Sequence, residues 1–418
     1  MNQQNNTQTI NVVNPVCCGL DVHKKVILAC LIVTDAQGNE HITIREFSTF
    51  YNSLIKLRDW LIENDCPIVA MESTGIYWRP IHNILEDYIQ VVLVNARHVK
   101  NLPGRKTDTS DSCWLAGLLK HGLLKGSFIP PKNIRTWRDL TRTRQKHVQN
   151  VGEYKQRTQK LLESANIKID CVISDLFGAS GTGLLNLLAE GKEISLEDIN
   201  QVVHWSVRHK SEELLISIEG HFTEHHVFLL GAHLETIKFH QSQIKAIDER
   251  LKSMMTDIEP LIKELDRIPG IDEVAARAIL AEIGISLDEF ESSDNLCSWS
   301  GLCPGNNETA GKRKSGKSSV KKHLLKTIMV EVAWAAIKKK NSYYKEKYHR
   351  LKSRRGPKKA IIAIAHKILK VIYNIVKHGC EYQDLGEEYL NKINKQTKIR
   401  NLNKQAAALG MKLVPIGS

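Results

Sequence analysis

Short apolar runs that are rich in β-branched residues recur through the first 125 residues and predict buried strands. We expect strands at 16–20, 26–33, 41–47, 68–72 and 91–94. Apolar residues at helical spacing predict helices over 51–64, around 81–85 and over 108–119. Thr107 is a suitable N-cap for the last of these helices.

Three antiparallel strands followed by strand–helix–strand crossovers is the element order of a ribonuclease-H-like fold. Residues 16–128 are therefore predicted to form one α/β domain of this class, preceded by a flexible N-terminus at 1–15. With 418 residues the chain is too long for one ordinary core, so we expect further domains.

Beyond about residue 130 the pattern changes to long polar stretches with sparse apolar positions. Residues 134–167 and about 234–265 predict two long helices, paired with each other or with another subunit as a coiled coil. The glycine-rich segment 178–183 lacks the ending of a phosphate loop, so we interpret it as a turn between helices. Together these features predict a helical coiled-coil region at 129–265.

A third, mainly helical domain is predicted at 266–380. Ile268-Pro269-Gly270-Ile271, followed by apolar residues up to Ile283, resembles a helix-hairpin-helix, whose backbone N–H groups can bind a nucleic-acid phosphate. The alternative is a plain helix N-terminus. Residues 361–376 predict a packing helix, and 381–418 is expected to be a basic, loosely ordered tail.

Four acidic residues coincide with the predicted strand ends and one helix start. Asp21 and Glu72 end apolar runs, and Asp108 and Asp111, three residues apart, share one face of a first helical turn. A carboxylate at the end of a buried strand is costly unless its charge is compensated, and Mg²⁺ is the usual compensation. Each acid alone would be interpreted as an N-cap or a solvated surface group, but the set favours a metal site.

The charge of the chain favours a polyanionic partner. Its formal net charge is +13 and its pI is about 9.2. Candidate phosphate contacts fall in two basic stretches, at 312–322 and 338–359, and just before Asp108. They are Arg105, Lys106, Lys312, Arg313, Lys314, Lys317, Lys338, Lys339 and Lys340. Tyr343, Tyr344 and Tyr348 lie within the second stretch, where unpaired bases could stack on their rings.

Other classes of function find less support in the composition. No apolar stretch reaches membrane-spanning length, so no membrane partner is expected. The nine cysteines form no Cys-x-x-Cys pair, and the first 14 residues carry no secretory signal. We expect reduced, packing cysteines in a cytoplasmic protein.

The motifs together resemble the DEDD transposases of bacterial insertion sequences, which include the bridge-RNA-guided recombinases. The matching segments are GLDVHK at 19–24, MESTGIY at 71–77, KTDTSD at 106–111, IPGI at 268–271 and GLCPGNNE at 301–308. This resemblance implies a RuvC-like N-terminal domain, a helical coiled-coil middle and a C-terminal transposase domain. It also implies that Asp21, Glu72, Asp108 and Asp111 are the metal ligands.

The family also uses a serine nucleophile in its C-terminal domain, within a Glu-Ser pair followed closely by glycine. This sequence departs from the pattern, since Glu308 is followed by Thr309. Thr309 is favoured slightly by position, and Ser315, followed by Gly316, by residue type. The alternative is that both hydroxyls only cap turns or bind phosphate.

The resemblance implies a transposase that cleaves and exchanges DNA strands with two Mg²⁺ ions, guided by a non-coding RNA of the same element. A homo-oligomer, dimer or tetramer, is expected, acting in the bacterial cytoplasm at the nucleoid. One alternative is a RuvC-like junction-resolving endonuclease that uses metal-activated water and needs neither hydroxyl. The other is a non-catalytic nucleic-acid-binding protein that keeps the acids as structural charges.

Overall fold

The computed structural model describes residues 11–73, 75–95, 111–303, 307–309, 312–315, 323–386, 388–412 and 414. The chain divides into two compact units, Met1–Ile129 and Pro130–Ser418. The predictions made for Arg105, Lys106, Thr107, Asp108 and Lys317 lie outside the described residues.

The first unit is built on a five-stranded mixed sheet. Its strands are β1 (Val16–Val22), β2 (Val26–Thr34), β3 (Glu40–Ser48), β4 (Ile68–Glu72) and β5 (Gln90–Val94). They are ordered β3-β2-β1-β4-β5, with β1, β2 and β3 antiparallel and β4 parallel to both β1 and β5. This arrangement confirms the mixed α/β prediction and is compatible with a RuvC-like domain.

Three described helices cover the two faces of this sheet. They are α1 (Tyr51–Glu63), α2 (Trp78–Leu85) and α3 (Asp111–Lys120). Because side chains alternate along a strand, each face has its own apolar core. Leu57 of α1 and Leu85 of α2 pack with Leu20 on one face, while Ala116 of α3 packs with Cys17 on the other.

The described part of the second unit is almost wholly helical, as predicted. Its helices are α4 (Lys132–Ser164), α5 (Ile169–Val172), α6 (Ala179–Ala189), α7 (Leu196–Val202), α8 (Ser211–Ser217), α9 (Glu224–Met254), α10 (Glu259–Asp266), α11 (Glu273–Ile283), α12 (Ser293–Trp299), α13 (Leu324–Ala336), α14 (Tyr343–Arg355), α15 (Pro357–His378) and α16 (Glu388–Ala408). A short hairpin pairs β6 (Asn307–Thr309) with β7 (Lys312–Ser315).

The two long helices, α4 and α9, pack against each other within this chain. Part of their interface is polar: His147 Nδ1 lies 2.8 Å from His240 Nδ1, and Thr158 Oγ1 lies 3.5 Å from His233 Nδ1. A coiled coil is not confirmed. The second helix also ends at Met254 rather than near 265, because Pro260 starts the next helix and cannot continue the previous one.

The glycine-rich segment was wrongly interpreted as a turn. Gly181 and Gly183 lie inside α6, where they allow close packing rather than a change of direction. A Cβ atom on Gly181 would lie 2.2 Å from the Leu176 carbonyl oxygen, and one on Gly183 would lie 2.8 Å from Val202 Cβ. The glycines therefore report tertiary packing, which local sequence does not reveal.

The basic tail was also wrongly expected to be loosely ordered, since residues 388–408 form α16. This stretch lacks proline and glycine and contains four lysines and three alanines, both of which favour helix. Within the described residues, no helix has the length and apolar character needed to span a membrane.

Candidate functional site

Asp21 and Glu72 lie on neighbouring parallel strands at the same edge of the sheet. β1 and β4 pair with Leu20 beside Met71, so Asp21 and Glu72 follow side by side one residue later. Leu20 and Met71 point into the core on the α1 side. Because side chains alternate, Asp21 and Glu72 both project from the opposite face, which α3 covers.

The start of α3 lies close to the same region of β1. A Cβ atom on Gly19 would lie 2.0 Å from the Ser112 carbonyl oxygen and 2.5 Å from the Ala116 backbone nitrogen. Only glycine permits this approach, two residues before Asp21. Asp111 precedes Ser112 at the first described residue of α3, where the positive end of the helix dipole favours carboxylates.

His23 is a neighbour of Asp21 that the sequence interpretation missed. Its Nε2 lies 3.1 Å from Asp21 Oδ2, and its side chain is the more exposed of the two. The two residues lie two positions apart at the end of β1, so they share one side of the chain. That i, i+2 spacing was the sequence signal from which the contact between His23 and Asp21 could have been predicted. At this distance the histidine can orient the Asp21 carboxylate.

The full set of four acids cannot be placed, because Asp108 lies outside the described residues. Within the described residues, no three His, Cys, Asp or Glu side chains are grouped closely enough to hold a metal ion. Asp21, Glu72 and Asp111 are all described, so these three acids do not form such a group by themselves. The four-ligand site remains a prediction.

Both candidate nucleophiles lie on the β6–β7 hairpin rather than in an open loop. Thr309 pairs with Lys312 at one end of the ladder, and Ser315 pairs with Asn307 at the other. A register shift lies between Asn307 and Glu308. The two hydroxyl-bearing residues are therefore on different strands and at opposite ends of the ladder. A shift of the strand pairing by one residue would not place Ser315 where Thr309 is.

Two parts of the candidate nucleic-acid surface are basic segments. Lys338, Lys339 and Lys340 follow the end of α13 and are all exposed, with Lys339 Nζ 3.8 Å from Asp384 Oδ2. Lys312, Arg313 and Lys314 lie on β7. The helix dipole favours cations just after a helix C-terminus, so the presence of three lysines at 338–340 also has a structural explanation.

The stacking role proposed for the tyrosines is wrong for two of them. Tyr344 and Tyr348 are only 3% and 6% exposed and belong to the core of the second unit. Burial raises the pKa of the Tyr344 hydroxyl, which also interacts with Tyr382. These rings lie on the buried side of α14, and a base could not reach them without opening the core.

The outer side of α14 instead contributes to a cluster of positive charges. Burial, and then repulsion by Lys367, Arg350 and Arg354, lowers the pKa of the Lys347 ammonium. Of these, Arg350 is paired with Glu346, its Nε donating to Oε1 at 2.7 Å. Lys367 belongs to α15, which sequence alone indicated only as a packing helix. A bound phosphate would relieve this repulsion.

The helix-hairpin-helix shape is present, but its turn does not favour a phosphate. The Ile271 N–H donates to the Ile268 carbonyl oxygen, and Gly270 has φ +87°, as a turn with Pro269 before the glycine requires. A Cβ on Gly270 would lie 2.4 Å from the Val332 carbonyl oxygen, so the turn packs against α13. Asp272 caps α11 through its own carboxylate, which would repel an anion.

Comparison with known proteins adds an independent line of support. A transposase family model of the IS110 DEDD type matches residues 18–167, which include Asp21, Glu72, Asp108 and Asp111. A second model, for the transposase IS116/IS110/IS902 family, matches residues 262–349, which include Thr309 and Ser315. Together the two segments cover more than half of the chain.

One relative is also named as a transposase. The chain is 26% identical over 146 residues to a Sinorhizobium fredii protein named "Putative transposase y4pF/y4sB". The match covers 34% of this chain and 37% of that protein. By these matches, the chain belongs to the IS110 family of DEDD transposases.

Proposed function

We propose that this protein is a DNA transposase that cleaves and exchanges strands through a ribonuclease-H-like, RuvC-type N-terminal domain. The observation that carries the proposal is the placement of Asp21 and Glu72 side by side on one face of the sheet. Gly19 admits the start of α3, with Asp111, close to the same strand. A scaffold protein would gain nothing from gathering acids at one sheet edge.

Asp21, Glu72, Asp108 and Asp111 would hold magnesium in this proposal. Carboxylate oxygens are the ligands that Mg²⁺ prefers, and two of these acids, Asp21 and Glu72, lie side by side on neighbouring strands. When bound, a pair of such ions would stabilise the negative charge that develops on the attacking and leaving oxygens of a phosphodiester. The contribution of His23 is to orient the Asp21 carboxylate, from which it lies 3.1 Å away.

The attacking group in the proposed reaction is a hydroxyl of Thr309 or Ser315. Its oxygen forms a bond to phosphorus while the bond from phosphorus to the DNA 3′ oxygen breaks. The hydroxyl proton is lost to a base or to solvent, and the released 3′ oxygen takes up a proton. The result is a covalent link between protein and 5′ phosphate, with a free 3′-hydroxyl available for strand exchange.

The DNA backbone would bind to the basic surfaces of the second unit. The support is the positive charge around Lys347, whose pKa is lowered by burial and then by Lys367, Arg350 and Arg354, together with the exposed cations at 338–340. Such phosphate contacts add affinity without sequence preference, because phosphates are the same at every base pair. By resemblance to the family, we propose that a non-coding RNA supplies sequence choice and that a dimer or tetramer assembles on the DNA.

Incubation with DNA carrying the ends of the element, with and without Mg²⁺, tests this function. The proposal expects Mg²⁺-dependent cleavage, and a nicked substrate should trap a covalent protein–DNA adduct. Cleavage without any adduct would indicate a junction-resolving endonuclease that uses water. Binding without cleavage would indicate a non-catalytic protein. Sequencing of the nucleic acid that copurifies tests the RNA, since a single recurrent non-coding species is expected.

A further inference from the structure

Within the described residues, the contacts that fix the last helix, α16, to the second unit lie near its beginning. Leu390 is 7% exposed, and the Arg350 guanidinium donates to the Leu390 carbonyl oxygen at 3.2 Å. One residue earlier, the rings of Tyr343 and Tyr389 meet with centroids 6.0 Å apart. These interactions hold the first turn of α16 against α14.

The rest of α16 is an exposed polar arm. Among the side chains described from 392 to 408, Ala406 alone is partly buried and the others are exposed. At a rise of 1.5 Å per residue, the helix from Leu390 to Ala408 is about 27 Å long. A helix whose exposed surface is mainly polar is usually supported by ion pairs along that surface or by a partner. Residues 389–412 contain no Asp or Glu, so ion pairs within the arm are excluded.

The composition of the arm suits one kind of partner. Residues 389–412 carry lysine or arginine at six positions: 392, 395, 398, 400, 404 and 412. Gln396, Ile399, Arg400, Asn403, Lys404 and Ala407 line one shallow depression along one side of the helix, as their spacing of three and four residues requires. That side combines amides, which can pair with adenine edges, and cations, which can pair with guanine edges or phosphates.

We propose that α16 is a DNA-binding arm that lies in the major groove of duplex DNA with the Arg400 side facing the bases. The major groove of B-form DNA is about 12 Å wide and admits an α-helix, whereas that of duplex RNA is too narrow. The inference rests on the proposed function for its choice of DNA. It goes further by assigning a separate binding surface, outside the segments that the transposase family models match.

Two other partners fit the arm less well. A second copy of α16 would bring together two arms whose charged residues from 389 to 408 are all positive, and like charges repel. A membrane surface would require the apolar residues to share one face. Ile399 and Leu402, three residues apart, share one side of the helix, but Ile393, nine residues before Leu402, lies on the opposite side.

A matched pair of substitutions tests the inference on the full-length protein. Lys404 and Lys395 are nine residues apart, so they lie on opposite sides of the same helix, and both are exposed. Binding of a fluorescent duplex carrying the element ends is measured over a range of salt concentrations in EDTA, so that no cleavage occurs. We expect Lys404→Gln to weaken binding several-fold and to lower the salt slope by roughly 0.9, while Lys395→Gln leaves both unchanged.

A second readout tests whether the arm reaches the bases. Arg400→Gln should restore the methylation by dimethyl sulfate of guanine N7 atoms that the wild-type protein protects. Equal effects of Lys404→Gln and Lys395→Gln, or no effect of either, would overturn the groove assignment. A loss of binding to RNA hairpins in these variants, with binding to duplex DNA unchanged, would also overturn the groove assignment. Because the assay involves no cleavage, an inactive enzyme that still shows the Lys404 effect would reject the proposed function and keep this inference.

Discussion

Gly19 lies against the Ser112 carbonyl oxygen with no room for a β-carbon between them. This close approach places the start of α3 beside the strand that carries Asp21, on the face from which Asp21 and Glu72 project. The side chain that is absent from Gly19 therefore sets how close Asp111 can come to the other acids.

Gly19→Ala should destabilise the first unit and reduce cleavage together. The added methyl group would meet backbone atoms, which cannot turn aside as a flexible side chain can, so we expect a loss of about 3 kcal/mol. Gly117→Ala is the matched control in the neighbouring helix α3, because nothing lies within 4 Å of its added Cβ. That change should instead stabilise by about 0.5–1 kcal/mol. Thermal unfolding that ranks the two variants in the opposite order would contradict the close packing.

The basic segment at 338–340 gives a prediction about salt dependence. Replacing Lys338, Lys339 and Lys340 together by alanine should flatten the dependence of DNA affinity on salt, by roughly 0.9 for each phosphate that is no longer neutralised. The smallest contribution is expected from Lys339, which already has Asp384 as a partner. An unchanged slope in a titration of the triple variant would mean that this segment is only a solvated surface.

The buried carboxylate of Glu282 gives a prediction about stability. Arg142 donates to both of its oxygens, at 2.9 and 3.0 Å, and Glu282 is 1% exposed. Arg142→Met would leave the buried Glu282 carboxylate without its hydrogen-bond partner and should lower the free energy of unfolding by about 3 kcal/mol. This is the low end of the usual cost of breaking a buried ion pair, because Arg142 is half-exposed. The double variant Arg142→Met/Glu282→Leu should recover part of this stability. Hydrogen exchange of the α11 amides measures the stability of both variants. A double variant that is less stable than Arg142→Met alone would contradict the cost assigned to the unpaired carboxylate.

The nucleophile can be identified by chemistry rather than by distance. With Mg²⁺ and a nicked DNA substrate, Thr309→Ala should abolish the covalent adduct, whereas Ser315→Ala should spare it. Mass spectrometry of the trapped peptide gives the linked residue directly. The reverse pattern would assign the role to Ser315 and keep the covalent mechanism. Cleavage that continues in the double variant would point to water as the nucleophile.

The strands and their order along the chain could be predicted because each strand is a short β-branched run bounded by turn residues. A run of this kind is shorter than a typical helix and is flanked by turn residues, and these two features favour a buried strand, as in β4 with Val69 and Ala70. The acids were found for the same reason, since a carboxylate that ends an apolar run stands out.

The features that sequence did not reveal depend on residues distant along the chain or on the buried side of a helix. Gly181 lies in a helix and lets the Leu176 backbone approach closely, which the local pattern cannot distinguish from a turn. Tyr344 and Tyr348 were assigned to a nucleic-acid surface by their basic neighbours, although their side of α14 is buried. The position of α16 against α14 involves a hydrogen bond from Arg350 to the Leu390 carbonyl oxygen, 40 residues apart, which local sequence does not reveal.

The central claim is that the acids on the α3 face of the sheet form a magnesium-dependent catalytic site, and one paired comparison tests it most directly. Asp21→Asn removes one charge from this face. Asp87→Asn makes the same change at an exposed residue just beyond α2, which packs on the other face. We predict that Asp21→Asn lowers the rate of Mg²⁺-dependent DNA cleavage by about 100-fold or more while DNA binding is retained, and that Asp87→Asn cleaves at the wild-type rate. Wild-type cleavage by Asp21→Asn would contradict the account.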